Sequence, residues 1–400
     1  LKRFILIILD GFGIGCMNDV YSVRPQDAGA NTCLSILEKL PDLKLPNLER
    51  LGLMNSLGAD YGNMRRNPDA TYGLSELAHS GADTFYGHQE MLGTDPKEPI
   101  REPFAKSIES IYRVLTNTGY DVQIKGENQK FLLVNGCVTI ADNIEADPGS
   151  AYNVTSALDL IDYKEVIKIG KLVRQAVKVS RVIVFGGKGV TADDILSAVE
   201  EKEGNYIGIN APKSGVYNNG YQVTHLGYGV DPEVQVPTIL GRAGINVTLI
   251  GKVADIVENE YGKSIPGVDT EEIMQTAIKE IMSEDTGFIA VNIQETDLAG
   301  HAQDIERFAE KLLIADEYIG RIVDHMEDED MLVVTADHGN DPGIGHSHHT
   351  RENVPILIFG RNINKGYIGH RTTLSDIGMT VTEYFKCRKC ENGKSFLKLL

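Results

Sequence analysis

The chain alternates short apolar runs with amphipathic stretches. Five runs, 4–9, 246–250, 289–293, 331–335 and 355–359, are nearly continuous in Val, Ile, Leu and Phe. Such runs predict strands buried on both faces of a mainly parallel sheet that helices cover. Ile305, Phe308, Ala309, Leu312, Ile319, Ile322, Val323 and Met326 recur at three- and four-residue spacing and predict a helix over 305–326. Asp304 is placed to cap its start. A second helix is predicted over about 271–282. The pattern as a whole reads as an α/β protein.

The middle of the chain differs. Shorter strands are expected at 131–134 and 181–185, with one helix near 164–178. Pro96 and Pro99 bound this region on one side and the turn-rich KSGVYNNGY on the other. The expected organisation is a core domain made from 1–98 and 217–400, with a smaller α/β domain, 99–216, inserted as a cap. No repeat or low-complexity tract interrupts either part.

Composition narrows the options. At 400 residues the chain exceeds one ordinary domain of ~100–200 residues. Its apolar fraction of 42% and charged fraction of 24% suit a folded globular protein and exclude a disordered or fibrous one. The net charge of −18 repels phosphate backbones, so nucleic acid is not expected as a partner. The same excess of carboxylates suits bound cations. No run approaches the ~18 apolar residues of a membrane span, so no membrane partner is expected. The start, LKRFILIILDGFG, is basic then apolar but has no small-residue cleavage site, and reads as a buried strand. Five cysteines, only Cys387 and Cys390 close together, favour a reducing, cytoplasmic setting. The C-R-K-C pair is half of a zinc site at most. No motif sets an oligomeric state.

The chemistry gathers late in the chain. Seven of the ten histidines lie beyond residue 300. Asp10 ends the first run, Asp297 follows 289–293 by a short loop with His301 four residues on, and Asp337 and His338 follow 331–335. In open α/β sheets, ligands bind beyond the carboxyl ends of strands. Three strands thus deliver three acids and two imidazoles to one edge, and His349 in the following loop can join them. Any one of these residues alone also reads as a solvated turn. Crowded together, the carboxylates repel unless a cation intervenes. Six O and N donors exceed the four of one closed zinc site but suit two ions. Mixed Asp and His donors favour Mn²⁺ or Zn²⁺ over Ca²⁺ or Mg²⁺. Two such ions would clamp an in-line phosphoryl transfer. Thr84, in GADTFYGHQEML, precedes a short predicted helix from Phe85. A hydroxyl there sits beside free N–H groups and can serve as nucleophile, or simply cap the helix.

Gly11, Gly13 and Gly15 invite a dinucleotide reading, but the third glycine of G-x-G-x-x-G falls on Cys16, so the fingerprint fails. The glycines instead let the chain turn sharply around Asp10.

D-G-F-G-I-G at 10–15, A-N-T at 30–32, L-P-N-L-E-R-L-G-L at 45–53, A-D-T-F-Y-G-H-Q-E at 82–90, I-G-K-V-A-D-I at 250–256, T-A-D-H-G at 335–339 and H-H-T-R-E-N-V-P at 348–355 stand in the order and spacing of the phosphopentomutase family. The resemblance spans roughly 1–95 and 220–385. It places the chain near the alkaline phosphatase superfamily of two-metal phosphoryl-transfer enzymes. By resemblance, Asp10, Thr84, Asp337 and His338 hold one metal, and Asp297, His301 and His349 the other. Mn²⁺ is the metal expected first, with Zn²⁺ or Mg²⁺ as alternatives. Thr84 carries the phosphoryl group, and a bisphosphorylated sugar primes the reaction. Lys252 matches a lysine near the substrate phosphate, and Asp147 a sugar-binding acid of the cap. The implied substrate is a small phosphorylated molecule.

Two departures stand out. Asp297 and His301 are four residues apart where the family has five. Phe185 in R-V-I-V-F-G stands where the family's R-V-I-A-R-P has an arginine that grips the substrate phosphate. A phenyl ring does not replace a guanidinium, so ribose 5-phosphate is not assured as substrate. Lys188, Lys213 or Arg181 are the basic residues nearby in sequence. His346 and His348 are read as supporting or solvated. The rival readings are a metal-dependent phosphatase or phosphodiesterase with the same site, and a non-catalytic metal-binding relative.

Overall fold

The computed structural model describes residues 2–146, 148–283 and 286–400. They divide into two compact units, one made of 2–96 and 231–400 and the other of 97–230.

The first unit is built on an eight-stranded sheet. Its order is Lys263–Ile265, Asn246–Ile250, Thr286–Ile293, Lys2–Leu9, Met331–Thr335, Val354–Phe359, Thr71–Ser75 and Gly366–Arg371. The first five strands of that order pair in parallel; Val354–Phe359 runs antiparallel to both its neighbours. Lys2–Leu9 lies near the middle, and Phe4 to Leu9 are wholly buried. That is why the segment reads as unbroken apolar sequence: helices cover both its faces, so neither row of side chains meets water. Burying each such side chain contributes ~1.5–3 kcal/mol.

The helix Ile305–His325 forms where the apolar stripe predicts it. The Asp304 carboxylate accepts from the Arg307 N–H, and Phe308, Leu312, Ile319 and Ile322 face inward. It packs on Thr270–Ser283 and on Pro46–Leu51. Among the described residues no helix is long and apolar enough to cross a membrane.

The second unit carries its own sheet, in the order Gln222–Gly227, Arg181–Gly187, Ala151–Ala157, Val138–Asp142, Phe131–Val134 and Val122–Lys125. A hairpin of Val199–Lys202 and Tyr206–Ile209 joins Val138–Asp142 through a single pair. The helices Phe104–Asn117 and Tyr163–Ala176 pack against each other and against the strands. The end expected at 216 is therefore early. Gln222–Gly227 pairs antiparallel with Arg181–Gly187, with Val223 opposite Phe185, which carries the unit on to Val230. The turn-rich KSGVYNNGY reverses the chain inside this unit and does not leave it.

Candidate metal centre

Four neighbouring parallel strands end at one edge of the first sheet. Leu9 pairs with Ile293, Ile8 with Thr335 and Ile250 with Val291, so the strand ends are level. Neighbouring strands lie ~4.8 Å apart, so residues just past those ends are brought within reach of one another. Asp10 follows the first strand directly, Asp337 and His338 follow Met331–Thr335, and Lys252 opens the short helix Lys252–Ile256.

The expected loop after Thr286–Ile293 is instead a helix, Gln294–His301, that begins at once. Asp297 and His301 stand at i and i+4 on it, which puts both on one face. The four-residue step thus has a geometric basis: the His301 Nε2 to Asp297 Oδ2 distance is 3.4 Å. His349 reaches the same place from the 336–353 loop, its Nε2 3.2 Å from Asp297 Oδ1 and 3.0 Å from His301 Nε2.

Asp297, His301 and His349 form one group of potential ligands with donor atoms within 4.8 Å of one another. Asp10, Asp297 and His338 form a second, and Asp10, His88 and Asp337 a third. His338 Nε2 lies 3.5 Å from Asp10 Oδ1 and 3.2 Å from Asp337 Oδ2. The groups share Asp10 and Asp297, so they are parts of one cluster.

Thr84 is the first residue of the helix Thr84–Met91. It does not cap the helix. Asp83 does, accepting from the Tyr86 N–H at 3.0 Å. The Thr84 hydroxyl is left to donate to Asp337 Oδ2 at 2.7 Å.

Lys252 Nζ stands 3.0 Å from Asp10 Oδ2 and 3.4 Å from Asp297 Oδ2. Burial alone would depress its ammonium, but the facing carboxylates of Asp10, Asp297 and Asp337 prevail and raise it. The carboxylates divide the burden of crowding. Burial and the neighbouring Asp337 push Asp10 up to about 6, against the pull of Lys252. Asp337 is buried too, yet His338 and His88 hold it well below the usual range. Burial also opposes ionisation of Asp297, but His301 and His349 outweigh it and hold Asp297 low. Burial would lower His338, yet Asp337 raises it to about 10.

The imidazoles are oriented as metal ligands commonly are. Nδ1 of His301 meets Ser347 O at 2.7 Å, Nδ1 of His338 meets Gly339 O at 2.9 Å, and Nδ1 of His349 meets Ala82 O at 2.8 Å. A carbonyl only accepts, so each ring donates from Nδ1 and turns Nε2 toward the carboxylates, where that nitrogen holds a proton in the absence of a cation and is the ligand atom when one binds. The Nε2 atoms of His301 and His349 face each other at 3.0 Å, an approach that needs a proton or a cation between them. Asp10 Oδ1 and His338 Nε2 are buried without a hydrogen-bond partner. Two buried ligand atoms without partners and two Nε2 atoms turned on each other, in a cluster of carboxylates and imidazoles, fit divalent cations.

Three features escaped the sequence reading. His88 is wholly buried beside Asp337, its Nδ1 3.3 Å from Asp337 Oδ2. Its position four residues after Thr84 was the available signal, since i and i+4 share a helix face. Asn292 donates to Asp10 Oδ2 at 3.0 Å from inside a strand. Glu352, also wholly buried, accepts from Gly15 N, Thr32 N, Thr32 Oγ1 and Thr350 Oγ1, tying together the 10–15, 30–32 and 348–355 segments. A β-carbon on Gly13 would stand 2.3 Å from Glu352 Oε2, so this glycine serves close packing as well as the turn. Gly11, with φ +74°, supplies the turn itself.

Other expected residues are held by different partners. His346 Nε2 faces Asp27 Oδ1 at 3.3 Å, and His348 is exposed. Lys213 faces Glu200 at 3.9 Å. Phe185 is buried in the second unit, stacked on Tyr217 with ring centroids 6.0 Å apart. Asp147 lies outside the described residues.

The chain belongs to the metalloenzyme superfamily, whose family model matches residues 2–389. Among individual proteins it is similar to the phosphopentomutases of Alkaliphilus metalliredigens and Elusimicrobium minutum. The first is 29% identical over 409 residues, covering 100% of this chain and 99% of the relative. The second is 29% identical over 428 residues, covering 99% and 100%. The phosphopentomutase of Clostridioides difficile is 27% identical, covering 99% of each chain. Among solved structures, a phosphoglycerate mutase of Leishmania mexicana aligns at 13% identity with a TM-score of 0.47, covering 98% of this chain and 97% of that one. The alkaline phosphatase of the Antarctic bacterium TAB5 aligns at 12% identity with a TM-score of 0.35, covering 97% and 98%.

Proposed function

We propose that this chain is a metal-dependent phosphotransferase of phosphopentomutase type. It moves phosphate between positions of a sugar phosphate, or a related small molecule, through a phosphorylated Thr84. The observation that carries the reading is the Thr84 hydroxyl, at the start of a helix, donating to Asp337 at 2.7 Å inside a cluster suited to cations. The similarity to phosphopentomutases along the whole chain supports the same reaction class.

Asp10, Thr84, Asp337 and His338 would hold one cation, and Asp297, His301 and His349 the other. Mn²⁺ is the proposed metal, with Zn²⁺ or Mg²⁺ as alternatives. Two divalent cations, when bound, activate the hydroxyl and neutralise charge on the transferred group. The chain's own residues do the rest. Asp337 Oδ2 accepts the Thr84 proton and aims the oxygen. The positive end of the helix dipole at Thr84 favours the negative phosphoryl oxygens. Lys252 offers an ammonium to the same group. Thr84 Oγ forms the new P–O bond as the donor oxygen leaves, and a second hydroxyl of the substrate later takes the phosphoryl group back. A bisphosphorylated sugar is the proposed primer that first loads Thr84. Residues 97–230 are the proposed source of substrate selectivity. Phe185, packed among aromatic rings there, offers no positive charge, so the substrate is proposed to differ from ribose 5-phosphate at the end away from the reacting phosphate.

The test is a panel of sugar phosphates, with and without bisphosphate primers, on the Mn²⁺-loaded chain and on Thr84→Ala. Isomerisation that needs the primer, ³²P on Thr84 and loss of both in Thr84→Ala with two metals retained are expected. Full activity of Thr84→Ala removes the nucleophile assignment. Steady release of inorganic phosphate without primer makes the chain a phosphatase. No turnover across the panel makes it a non-catalytic metal-binding relative.

A further inference from the structure

His88 sits among potential ligands, and its donor atom falls within 4.8 Å of those of Asp10 and Asp337. Its hydrogen bonds give it another role. The Asn292 amide nitrogen lies 3.0 Å from Asp10 Oδ2 and 2.9 Å from His88 Nε2. An amide nitrogen has two hydrogens and no lone pair to offer, so each hydrogen takes one of these two acceptors. Nε2 of His88 must then accept, and the ring proton resides on Nδ1. That nitrogen is 2.8 Å from the Thr84 carbonyl oxygen and 3.3 Å from Asp337 Oδ2. Both ring nitrogens are therefore committed. His301, His338 and His349 differ, because the Nε2 of each faces carboxylates and not an amide donor.

We propose that His88 is a positioning residue and not a cation ligand: its Nδ1–H ties the first turn of the Thr84 helix to Asp337, while Asn292 locks its ring by bridging it to Asp10. The inference rests on the reading of Thr84 as nucleophile. A continuous path of hydrogen bonds runs from Asp10 through Asn292 and His88 to the backbone of Thr84. It sets where the Thr84 hydroxyl stands relative to both carboxylates. A nucleophile displaced by about 1 Å loses roughly 10²-fold in rate, so this path bears on turnover more than on substrate affinity.

The chemistry of the side chains supplies the test. The amide nitrogen of asparagine overlays Nδ1 of histidine, and that of glutamine overlays Nε2. His88→Ala and His88→Gln are expected to lower kcat about 10²-fold with KM within about threefold. His88→Asn is expected to recover most of kcat, and all three variants to bind two metals per chain. In ¹⁵N NMR of the full-length chain, the His88 ring is expected to show a slowly exchanging Nδ1–H and an Nε2 shift that Mn²⁺-mimicking Zn²⁺ leaves in place. Asn292→Ala is expected to abolish that slow exchange. A metal count below two in His88→Ala, or an Nε2 shift that moves on adding Zn²⁺, makes His88 a ligand and overturns the proposal. So does an asparagine variant no better than the glutamine one. If the wild-type chain turns over no sugar phosphate, the proposed function falls while the metal count and the ring shifts still decide the role of His88.

Discussion

Gly87 is the position where the smallest change should cost the most activity. It lies on the Thr84–Met91 helix, with no side chain between that helix and Asp337. A β-carbon there would stand 2.6 Å from the Asp337 carbonyl oxygen and 3.1 Å from Asp337 Cβ. Ordinary contact begins near 3.4 Å, so Gly87→Ala must open the gap by about 0.8 Å. Moving the helix by that amount stretches the 2.7 Å bond from Thr84 Oγ to Asp337 Oδ2 toward about 3.5 Å, past useful hydrogen-bond length. Stability changes little by comparison. Alanine gains ~0.8–1 kcal/mol of helix propensity over glycine, and overpacking costs ~1–3 kcal/mol. The net loss is therefore at most ~2 kcal/mol, while misplacing the nucleophile costs about 10²-fold in kcat. The assay is steady-state turnover of the metal-loaded variant beside its melting temperature and metal content. A variant within threefold of wild-type kcat, whatever its melting temperature, would refute the claim that this close approach sets the position of Thr84.

Three further outcomes follow from buried charges. Lys252→Met removes the ammonium that faces Asp10 and Asp297, which should destabilise the chelator-treated chain by about 3–5 kcal/mol and the metal-saturated chain much less; equal losses in the two melting curves would show that Lys252 is not a counter-charge. Asp330→Asn breaks a buried pair with Arg3 and should cost about 3–5 kcal/mol by urea unfolding. Burial opposes ionisation of Asp330, but the bonds from Arg3 win and hold it below the usual carboxylate range. Its contribution is therefore complete above the unfolded value near 4 and fades as pH falls through the depressed folded value, so the variant should show a shallower acid limb. Glu352 has the opposite sign: burial pushes it up to about 7 despite its hydrogen bonds from Thr350 and Thr32. The folded chain then holds a proton that the unfolded chain has released, and stability should fall by about 3 kcal/mol as pH rises from 4.5 to 7. Subtracting the urea midpoints of Glu352→Gln should isolate that slope, and parallel pH profiles would disprove it.

The parts of the fold that the sequence made legible are those where burial is complete on both faces. Phe4 to Leu9 and 331–335 had no polar alternation to obscure them. The edge strands were missed for the converse reason. Gln222–Gly227 is largely exposed and polar, and Gly366–Arg371 alternates weakly around two glycines. The helix Gln294–His301 was hidden because its sequence, QETDLAGH, carries almost no apolar stripe. The site followed the same logic. Acids and imidazoles placed just after legible strands could be read as a cluster. His88 and Asn292 lie inside regular elements, where a polar residue reads as a solvated face, and only the packing of a helix against a strand end reveals them. Glu352 gave no signal, since nothing in H-T-R-E-N announces that its carboxylate will be buried under four donors.

The charge at the strand ends bears on what the centre can accept. Asp10, Asp297 and Asp337 bring three carboxylates and Lys252 one ammonium within a few ångströms. With the imidazoles neutral, as binding a cation requires of them, the protein's share is −2. At this charge the cluster repels a phosphate monoester, consistent with a chain whose net charge is −18. The proposed pair of divalent cations turns −2 into +2, which matches a phosphoryl dianion. A single divalent cation leaves the cluster near neutral and able to hold an anion only through the helix start and Lys252. Substrate binding should therefore rise with the second metal equivalent and not the first. A titration of metal against bound sugar phosphate, followed by calorimetry on the Thr84→Ala chain so that no turnover intervenes, should show affinity appearing between one and two equivalents. Binding that saturates at one equivalent would mean that the two halves of the cluster do not act on one phosphoryl group.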